Sequence, residues 1–91
     1  MYNVKISSKY KKDLKLLLKR GYNLDLLDTV IDLLIEGKPL PEKYHDHDLH
    51  GNFEGCRECH ILPDWLLIYE KFEETLYLYL TRTGTHSDLF K

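Results

Sequence analysis

Three periodic segments open the chain. Residues 2–6 alternate between apolar and polar side chains, which predicts a strand with one buried face. After two serines that can cap a helix, apolar residues recur at helical spacing until Gly21; they are Tyr10, Leu14, Leu17 and Leu18. Asn23 can cap a second helix, which Gly37 and Pro39 end and whose apolar stripe is Leu27, Val30, Ile31 and Leu34. Because amphipathic helices of this length need tertiary packing, we interpret both stripes as core contacts.

The second half of the chain indicates a loop followed by strands. The polar run from Tyr44 to Asp48 is typical of a loop. Three segments rich in β-branched, leucine and aromatic residues follow and predict a β-meander; they cover residues 56–62, 65–71 and 76–83. Residues 85–90 can form one short capped helical turn. We therefore predict an α+β fold with an N-terminal strand, a two-helix hairpin and an antiparallel β-meander in one mixed sheet.

Length and composition narrow the class of protein. A chain of 91 residues can build one modest core, so a single domain over residues 1–91 is expected. No stretch approaches the roughly 18 apolar residues of a membrane helix, and no apolar run follows the charged N-terminus, so we expect a cytoplasmic protein without a membrane partner. In that compartment Cys56 and Cys59 are expected to be reduced thiols.

Charge is distributed unevenly along the chain. Residues 1–20 hold seven basic residues and one acidic residue, giving +6, although the whole chain carries −2. This asymmetry favours a basic surface that attracts a polyanion, with a solvated lysine face as an equally good explanation from charge alone. All five histidines lie in the second half; they are His45, His47, His50, His60 and His86.

The segment from Cys56 to His60 matches the C-x-x-C-H pattern of covalent haem attachment. Haem attachment of that kind requires export, and residues three apart on a strand point to opposite faces, so Cys56 and Cys59 cannot converge on one ligand. The same geometry weakens a zinc site, although nearby histidines keep a small zinc-binding regulator as an alternative. We expect no metal and no cofactor, with Cys59 as a small buried hydrophobe.

The surplus of histidines indicates proton transfer. RNA cleavage by attack of the adjacent 2′-hydroxyl needs a base, an acid for the departing 5′-oxygen and cations for the transition state. Histidine suits both proton transfers near neutral pH, and an aspartate can orient an imidazole. A planar arginine can hold the phosphate by two hydrogen bonds. No metal is required for this chemistry. For any single histidine, a solvated side chain without function is an equally good explanation.

Four motifs of the second half resemble, in order and spacing, the YafQ branch of the RelE superfamily of bacterial toxins. They are Asp46-His47-Asp48-Leu49, Arg57-Glu58-Cys59-His60, Pro63-Asp64-Trp65-Leu66-Leu67-Ile68-Tyr69 and Arg82-Thr83-Gly84-Thr85-His86-Ser87-Asp88-Leu89-Phe90. The predicted strand, helices and sheet agree with the RelE-like fold, so the resemblance covers essentially the whole chain. It implies a ribosome-dependent mRNA endonuclease, the toxin of a type II toxin–antitoxin pair in the bacterial cytoplasm.

The resemblance also implies roles for individual residues. The acid/base set would be His47, His60, Asp64 and His86. Trp65 and Phe90 would complete the site, with a core aromatic as the alternative for Trp65. Arg82 is the candidate for contact with the transition-state phosphate, with a sheet-edge ion pair as the alternative. The basic first helix would bind the phosphates of ribosomal RNA through Lys9, Lys11, Lys12, Lys15, Lys19 and Arg20.

Two positions depart from the family pattern. Asp48 stands where proline is expected, and His50 stands where a longer polar or basic side chain is common, so His50 could join the site or replace a phosphate contact. A cognate antitoxin is expected to neutralise the chain with a segment that folds on binding, and operator DNA is expected to bind only through that complex. A non-catalytic RNA- or ribosome-binding module remains the alternative function.

Overall fold

Two helices cover one face of a five-stranded mixed sheet in the computed structural model, which describes residues Met1 to Phe90. The elements in chain order are β1 (Asn3–Ile6), α1 (Ser8–Lys19), α2 (Leu24–Ile35), β2 (His47–Asp48), β3 (Arg57–Leu62), β4 (Trp65–Phe72), β5 (Tyr77–Gly84) and α3 (His86–Leu89). Short 3-10 turns at Glu42–Tyr44 and Gly51–Phe53 flank β2. No helix in residues 1–90 is long and apolar enough to cross a membrane.

The sheet has the strand order β1-β5-β4-β3-β2. β1 runs parallel to β5, because the two helices carry the chain back across the sheet before the meander begins. The pairs β5–β4, β4–β3 and β3–β2 are antiparallel. The predicted α+β architecture with one mixed sheet is confirmed, including the meander and the terminal helical turn.

The helix boundaries follow the predicted caps. The Ser7 hydroxyl accepts a hydrogen bond from the Tyr10 backbone N–H and donates one to the Thr81 carbonyl, so it both begins α1 and attaches it to β5. The Asn23 side chain accepts from the Asp25 N–H and begins α2. α1 ends just before Gly21, whose φ of +81° is the left-handed exit expected there.

The main core lies between the helices and the sheet. The buried residues of this core include Tyr10, Leu17, Leu27, Val30, Leu34, Cys59, Ile61, Trp65, Leu67, Tyr69, Leu78 and Leu80. A smaller cluster lies on the opposite face of the sheet, and Leu49 and Phe53 pack against it. Its buried residues are Cys56, Leu66, Ile68 and Leu89. The two cysteines therefore lie on opposite faces of the sheet, as strand alternation predicts, and both are free thiols.

Three details of the predicted pattern are wrong. β1 has no buried face, since Val4 and Ile6 are each 40% exposed on an edge strand that only β5 flanks. Leu18 is 65% exposed and lies outside the apolar stripe of α1. His47 and Asp48, expected in a loop, form the two-residue strand β2. A pair of residues is too short to carry a period, and β2 forms because Arg57 and Glu58 offer it a strand edge.

Candidate active site

Four histidine rings meet where β2, β3 and α3 come together. His47 lies in β2, His60 in β3, and His86 is the first residue of α3. The ring centroid of His60 lies 6.2 Å from that of His47 and 5.8 Å from that of His86. His45, on the loop before β2, packs edge-on against His60 at 5.7 Å. His60 is thus the centre of a histidine cluster made of these four rings.

Asp64 holds His86 from the turn between β3 and β4. Its Oδ1 accepts hydrogen bonds from the backbone N–H of His86 at 3.0 Å and from the ring Nδ1–H at 2.6 Å. These two bonds, the backbone one first, lower the pKa of Asp64 below its ordinary value. Because Nδ1 carries the donated proton, Nε2 of a neutral His86 ring is left as a proton acceptor.

Glu58 is a site residue to which the sequence analysis assigned no role. It is only 5% exposed, and its Oε1 lies 3.2 Å from Nε2 of His47 and 3.5 Å from Nε2 of His60. Strand alternation in β3 contains the signal that could have found it, because residues 58 and 60 share one face. One buried carboxylate therefore joins two histidines of the cluster.

Hydrogen bonds fix the backbone on both sides of His47, which lies in β2. The Arg57 guanidinium donates to Asp46 Oδ2 at 2.9 Å and to Asp48 Oδ1 at 2.6 Å, and the Tyr69 hydroxyl donates to Asp46. The ring Nδ1–H of His47 donates to the His45 carbonyl at 2.6 Å. These bonds fix the ring of His47 relative to β3.

A capping box fixes α3 and hence His86. The Thr85 hydroxyl accepts from the Asp88 N–H, and the Asp88 carboxylate accepts from the Thr85 N–H. Arg20 at the end of α1 donates two hydrogen bonds to the same carboxylate, at 2.8 and 3.2 Å. Arg20 was expected to contact ribosomal phosphates, but here its guanidinium connects α1 to α3.

Phe90 lies beside the histidine cluster and is 44% exposed. Its ring packs edge-on against Phe53 with centroids 5.7 Å apart, and it lies 6.5 Å from the ring of His86. This position leaves part of the ring open to a ligand next to the cluster.

Trp65, expected to complete the site, lies in the core. Trp65 is 1% exposed, its ring packs edge-on against Tyr22, and its Nε1–H donates to the Thr83 hydroxyl at 2.9 Å. A side chain buried in this way supports the site from the core, which is the alternative that the sequence analysis kept open.

Arg82 forms an ion pair, but not at a sheet edge: β5 lies between β1 and β4, and the partner, Asp13, belongs to α1. The Nε–H and one Nη–H group of Arg82 donate to the two oxygens of Asp13 at 2.8 and 3.0 Å, and these bonds raise the pKa of Arg82. Asp13 is 9% exposed and also accepts from the Thr83 N–H. Because the guanidinium fork already holds a carboxylate, the expected phosphate contact is not available in this arrangement.

The remaining predicted residues are exposed. The lysines of α1 all face solvent; they are Lys9, Lys11, Lys12, Lys15 and Lys19. His50 stands outside the histidine cluster, where its ring Nδ1 lies 3.3 Å from the exposed carboxylate of Glu54. Its side chain is 83% exposed.

A groove of about 820 Å³ opens beside His60. Its walls come from α2, from the 3-10 turn before β2 and from the end of β3; the lining residues are Leu26, Thr29, Lys43, Tyr44, His45, His60, Ile61, Leu62 and Pro63. Within residues 1–90, no group of three or more His, Cys, Asp or Glu side chains has the arrangement to hold a metal ion.

Known proteins resemble the chain over almost its whole length. The mRNA interferase toxin YafQ of Escherichia coli strain K12 is 42% identical over 89 residues, which are 97% of this chain and 95% of that protein. YafQ in a crystal structure of the E. coli DinJ–YafQ toxin–antitoxin complex is 41% identical with a TM-score of 0.90, covering 99% of this chain and 98% of that one. A metal-bound toxin from Helicobacter pylori is 44% identical with a TM-score of 0.92, covering 99% of this chain and all of that one.

The family model for YafQ, the bacterial toxin of a type II toxin–antitoxin system, matches residues 2–91. The resemblance inferred from the four motifs is thereby confirmed. The chain belongs to the YafQ family of type II toxins.

Proposed function

We propose that this mRNA interferase cleaves mRNA on the bacterial ribosome by metal-independent acid/base catalysis. The observation that carries the proposal is the histidine cluster, whose rings lie within 6.2 Å of His60. The carboxylates of Glu58 and Asp64 contact the rings of His47 and His86. Imidazole groups fixed beside one another can remove and deliver protons near neutral pH.

In the proposed reaction, the 2′-hydroxyl of one nucleotide attacks the adjacent phosphorus. One imidazole takes the 2′-oxygen proton as the O2′–P bond forms, and another gives a proton to O5′ as the P–O5′ bond breaks. The products are a 2′,3′-cyclic phosphate and a free 5′-hydroxyl. His47, His60, Asp64 and His86 form the acid/base set, and the exposed ring of Phe90 stacks on a nearby base.

The exposed lysines of α1 would bind the phosphates of ribosomal RNA, since α1 presents five of them to solvent. The partner that neutralises the chain would be a cognate antitoxin, because its relative in E. coli crystallises with DinJ as a toxin–antitoxin complex. Operator DNA would bind only through that antitoxin complex. We place this activity in the cytoplasm, where translating ribosomes are found.

The test is mRNA cleavage on programmed ribosomes by the wild-type chain, His86→Ala and His50→Ala, each with and without a transition-metal chelator that leaves the Mg²⁺ of the ribosome in place. His86→Ala removes the ring that Asp64 holds, whereas His50→Ala removes an exposed ring outside the histidine cluster. We expect cleavage by the wild type and by His50→Ala, and a loss of about 10²-fold or more with His86→Ala.

The products of wild-type cleavage should carry a 2′,3′-cyclic phosphate, which mass spectrometry detects. A folded wild-type protein that binds ribosomes but leaves the mRNA intact would favour the non-catalytic binding module. Cleavage that stops with chelator and returns with added metal would contradict the metal-independent mechanism. The comparison with and without chelator is needed because a similar toxin from H. pylori has been crystallised with bound metal.

A further inference from the structure

The groove beside His60 exists because β2 is short. β2 has two residues and pairs with β3 only at residues 57 and 58. Beyond that point, residues 60–62 of β3 have no further strand on this side within the described part of the chain, and they line the groove instead. The last of them, Leu62, is 46% exposed. One edge of β3 therefore stays open next to the histidine cluster.

The groove has apolar walls and groups that can carry positive charge. Leu26 of α2 and Leu62 of β3 are 40% and 46% exposed, so both leave apolar surface open. The groups that can be cationic are Lys43, His45 and His60. Among the described residues that line the groove there is no Asp or Glu. A nucleobase suits these surroundings, because its faces are apolar and the phosphates that accompany it are negative.

The charges around the groove also favour one path for an RNA backbone. Lys43 is exposed, and its Nζ lies 5.0 Å from the centroid of the half-buried Tyr44 ring. On α2, the exposed Asp25 and Asp28 are the sequence neighbours of the two residues that line the groove. They would repel a phosphate from the α2 wall, whereas Lys43 would attract it. We therefore expect the phosphates of a bound strand on the Lys43 side, with a base pointing inward.

His45 joins the groove to the histidine cluster. Its ring lines the groove and lies edge-on to that of His60, with the centroids 5.7 Å apart. Its backbone carbonyl accepts the Nδ1–H of His47. The φ angle of His45 is +49°, a left-handed conformation that costs free energy in a residue other than glycine. In this conformation one residue directs its carbonyl at the cluster and its ring at the groove.

We propose that the groove is a subsite for one base of the mRNA, next to the linkage that is cut at the histidine cluster. The inference rests on the proposed function and deepens it. The base enters between Leu26 and Leu62 and contacts the ring of His45, and Lys43 binds a phosphate of the same strand. Phe90 does not line the groove, so the base that stacks on Phe90 is a different one.

Messages that lack single bases test the subsite. Wild-type cleavage is first mapped on a programmed ribosome, and mRNAs are then made in which each of the two nucleotides on either side of the mapped linkage is abasic in turn. Single-turnover rates are compared for the wild type and three variants. Thr29→Trp fills the groove from α2. His45→Asn removes the ring but keeps the carbonyl, and asparagine tolerates the left-handed conformation. Thr75→Trp makes the first substitution at an exposed threonine outside the groove.

We expect one abasic message to slow the wild type by about 10–100-fold, the usual effect of losing a stacked base. Thr29→Trp and His45→Asn should cleave the intact message about as slowly as the wild type cleaves that abasic one, and removal of the same base should then slow them by no more than a few-fold. Thr75→Trp should respond as the wild type does. A message that lacks the base stacked on Phe90 should slow all four proteins alike.

The inference fails if both groove variants lose rate by the same factor as the wild type on every abasic message, because a fault in folding or in ribosome binding does not depend on one base. It fails equally if no abasic message slows the wild type. Thr29→Trp that cleaves every message as the wild type does, but is no longer neutralised by the antitoxin, would assign the groove to the antitoxin instead. His45→Asn decides the question even where α2 does not tolerate tryptophan.

A second readout does not need ribosomes or cleavage. The free protein is titrated with 2′-O-methyl trinucleotides of each of the four bases, which lack the attacking hydroxyl, and with an abasic trinucleotide as the reference. In ¹H–¹⁵N spectra, we expect the backbone amides of Thr29, Tyr44 and His45 to shift saturably with at least one base and not with the reference. These shifts should be lost in Thr29→Trp and kept in Thr75→Trp.

The two readouts separate the subsite from the reaction. If the wild type fails to cleave yet shows these shifts, the proposed function falls while the groove stands as a site for a base. Shifts that the abasic trinucleotide reproduces, or no shift in the groove with any base, would overturn the inference.

Discussion

Several buried or half-buried side chains in this molecule serve two partners at once. The Ser7 hydroxyl begins a helix and also binds a strand carbonyl. Asp13 accepts from the Arg82 guanidinium and from the Thr83 N–H. Such shared groups leave no buried side-chain nitrogen or oxygen without a hydrogen bond in residues 1–90. A change at one of them therefore affects two elements together.

Thr83→Val should destabilise the fold by about 1–3 kcal/mol, the cost of leaving a buried donor unpaired. The Thr83 hydroxyl accepts from the Trp65 indole N–H at 2.9 Å and donates to the Leu66 carbonyl at 2.7 Å. Valine has nearly the same shape but neither hydrogen-bonding group. Urea unfolding measures the effect, and Thr75→Val, at an exposed position, serves as the control. Equal stability of Thr83→Val and the wild type would show that the indole bond contributes nothing.

At this scale the structure brings some of the expected site residues together and leaves others apart. Motif spacing named His47, His60 and Asp64, and the structure brings them to one place because each lies at a strand or turn whose position the meander fixes. The sequence could not show that Trp65 is buried or that Arg82 forms an ion pair with Asp13, since both depend on contacts between residues distant in the chain. Whether a side chain faces substrate is decided by tertiary packing.

At the scale of elements, the short helix α3 is stabilised by hydrogen bonds at its ends. α3 has only four residues, far fewer than an isolated helix needs to form, and it is held by the capping box of Thr85 and Asp88 and by the hydrogen bonds from Arg20. These bonds, with that from Arg20 the largest cause, hold the pKa of Asp88 far below its ordinary value. The position of His86 thus depends on one carboxylate two residues away.

Asp88→Asn should lower stability near neutral pH by about 1 kcal/mol, the usual worth of a helix cap. Because the folded state depresses the pKa of Asp88, its contribution is present above the unfolded value of about 4 and is lost as the pH falls toward the folded value. The difference in urea midpoint between the wild type and Asp88→Asn should therefore be larger at pH 7 than at pH 3. An identical gap at both pH values would contradict this account.

The elements with strong local signals were predicted from the sequence, and those without them were not. Serine and asparagine caps and glycine exits predicted α1 and α2 within a residue or two. β2 could not be predicted, because its two residues are extended only by pairing with β3. The burial expected for β1 was wrong for a related reason: alternation shows that a segment can be a strand but not whether it lies at an edge.

At the scale of the whole molecule, charge is separated between the two helices. α1 presents five exposed lysines, whereas the charged residues of α2 and its C-cap are all acidic and exposed; they are Asp25, Asp28, Asp32 and Glu36. A polyanion would therefore be attracted to one side of the molecule and repelled from the other. The net charge of −2 conceals this polarity.

A triple variant that replaces Lys11, Lys12 and Lys15 with glutamine should weaken ribosome binding and make it less sensitive to salt. Each lost phosphate contact should reduce the slope of log K against log salt by about 0.7–0.9, so three should reduce it by ~2. Binding to ribosomes measured across a salt series gives the slope. Lys38→Gln is the control, because that lysine is exposed but paired with Glu36. An unchanged slope in the triple variant would show that these three lysines make no phosphate contacts on the ribosome.

The parallel pairing of β1 with β5 also orders the steps of biosynthesis. Asn3 is synthesised long before its partner Tyr77, and the backbone N–H of Asn3 donates to the carbonyl of Leu76. β1 therefore has no partner strand until β5 has been synthesised. His86 follows β5 and is completed later still. A ribosome that has not yet translated α3 therefore carries a nascent chain whose sheet and histidine cluster are both unfinished.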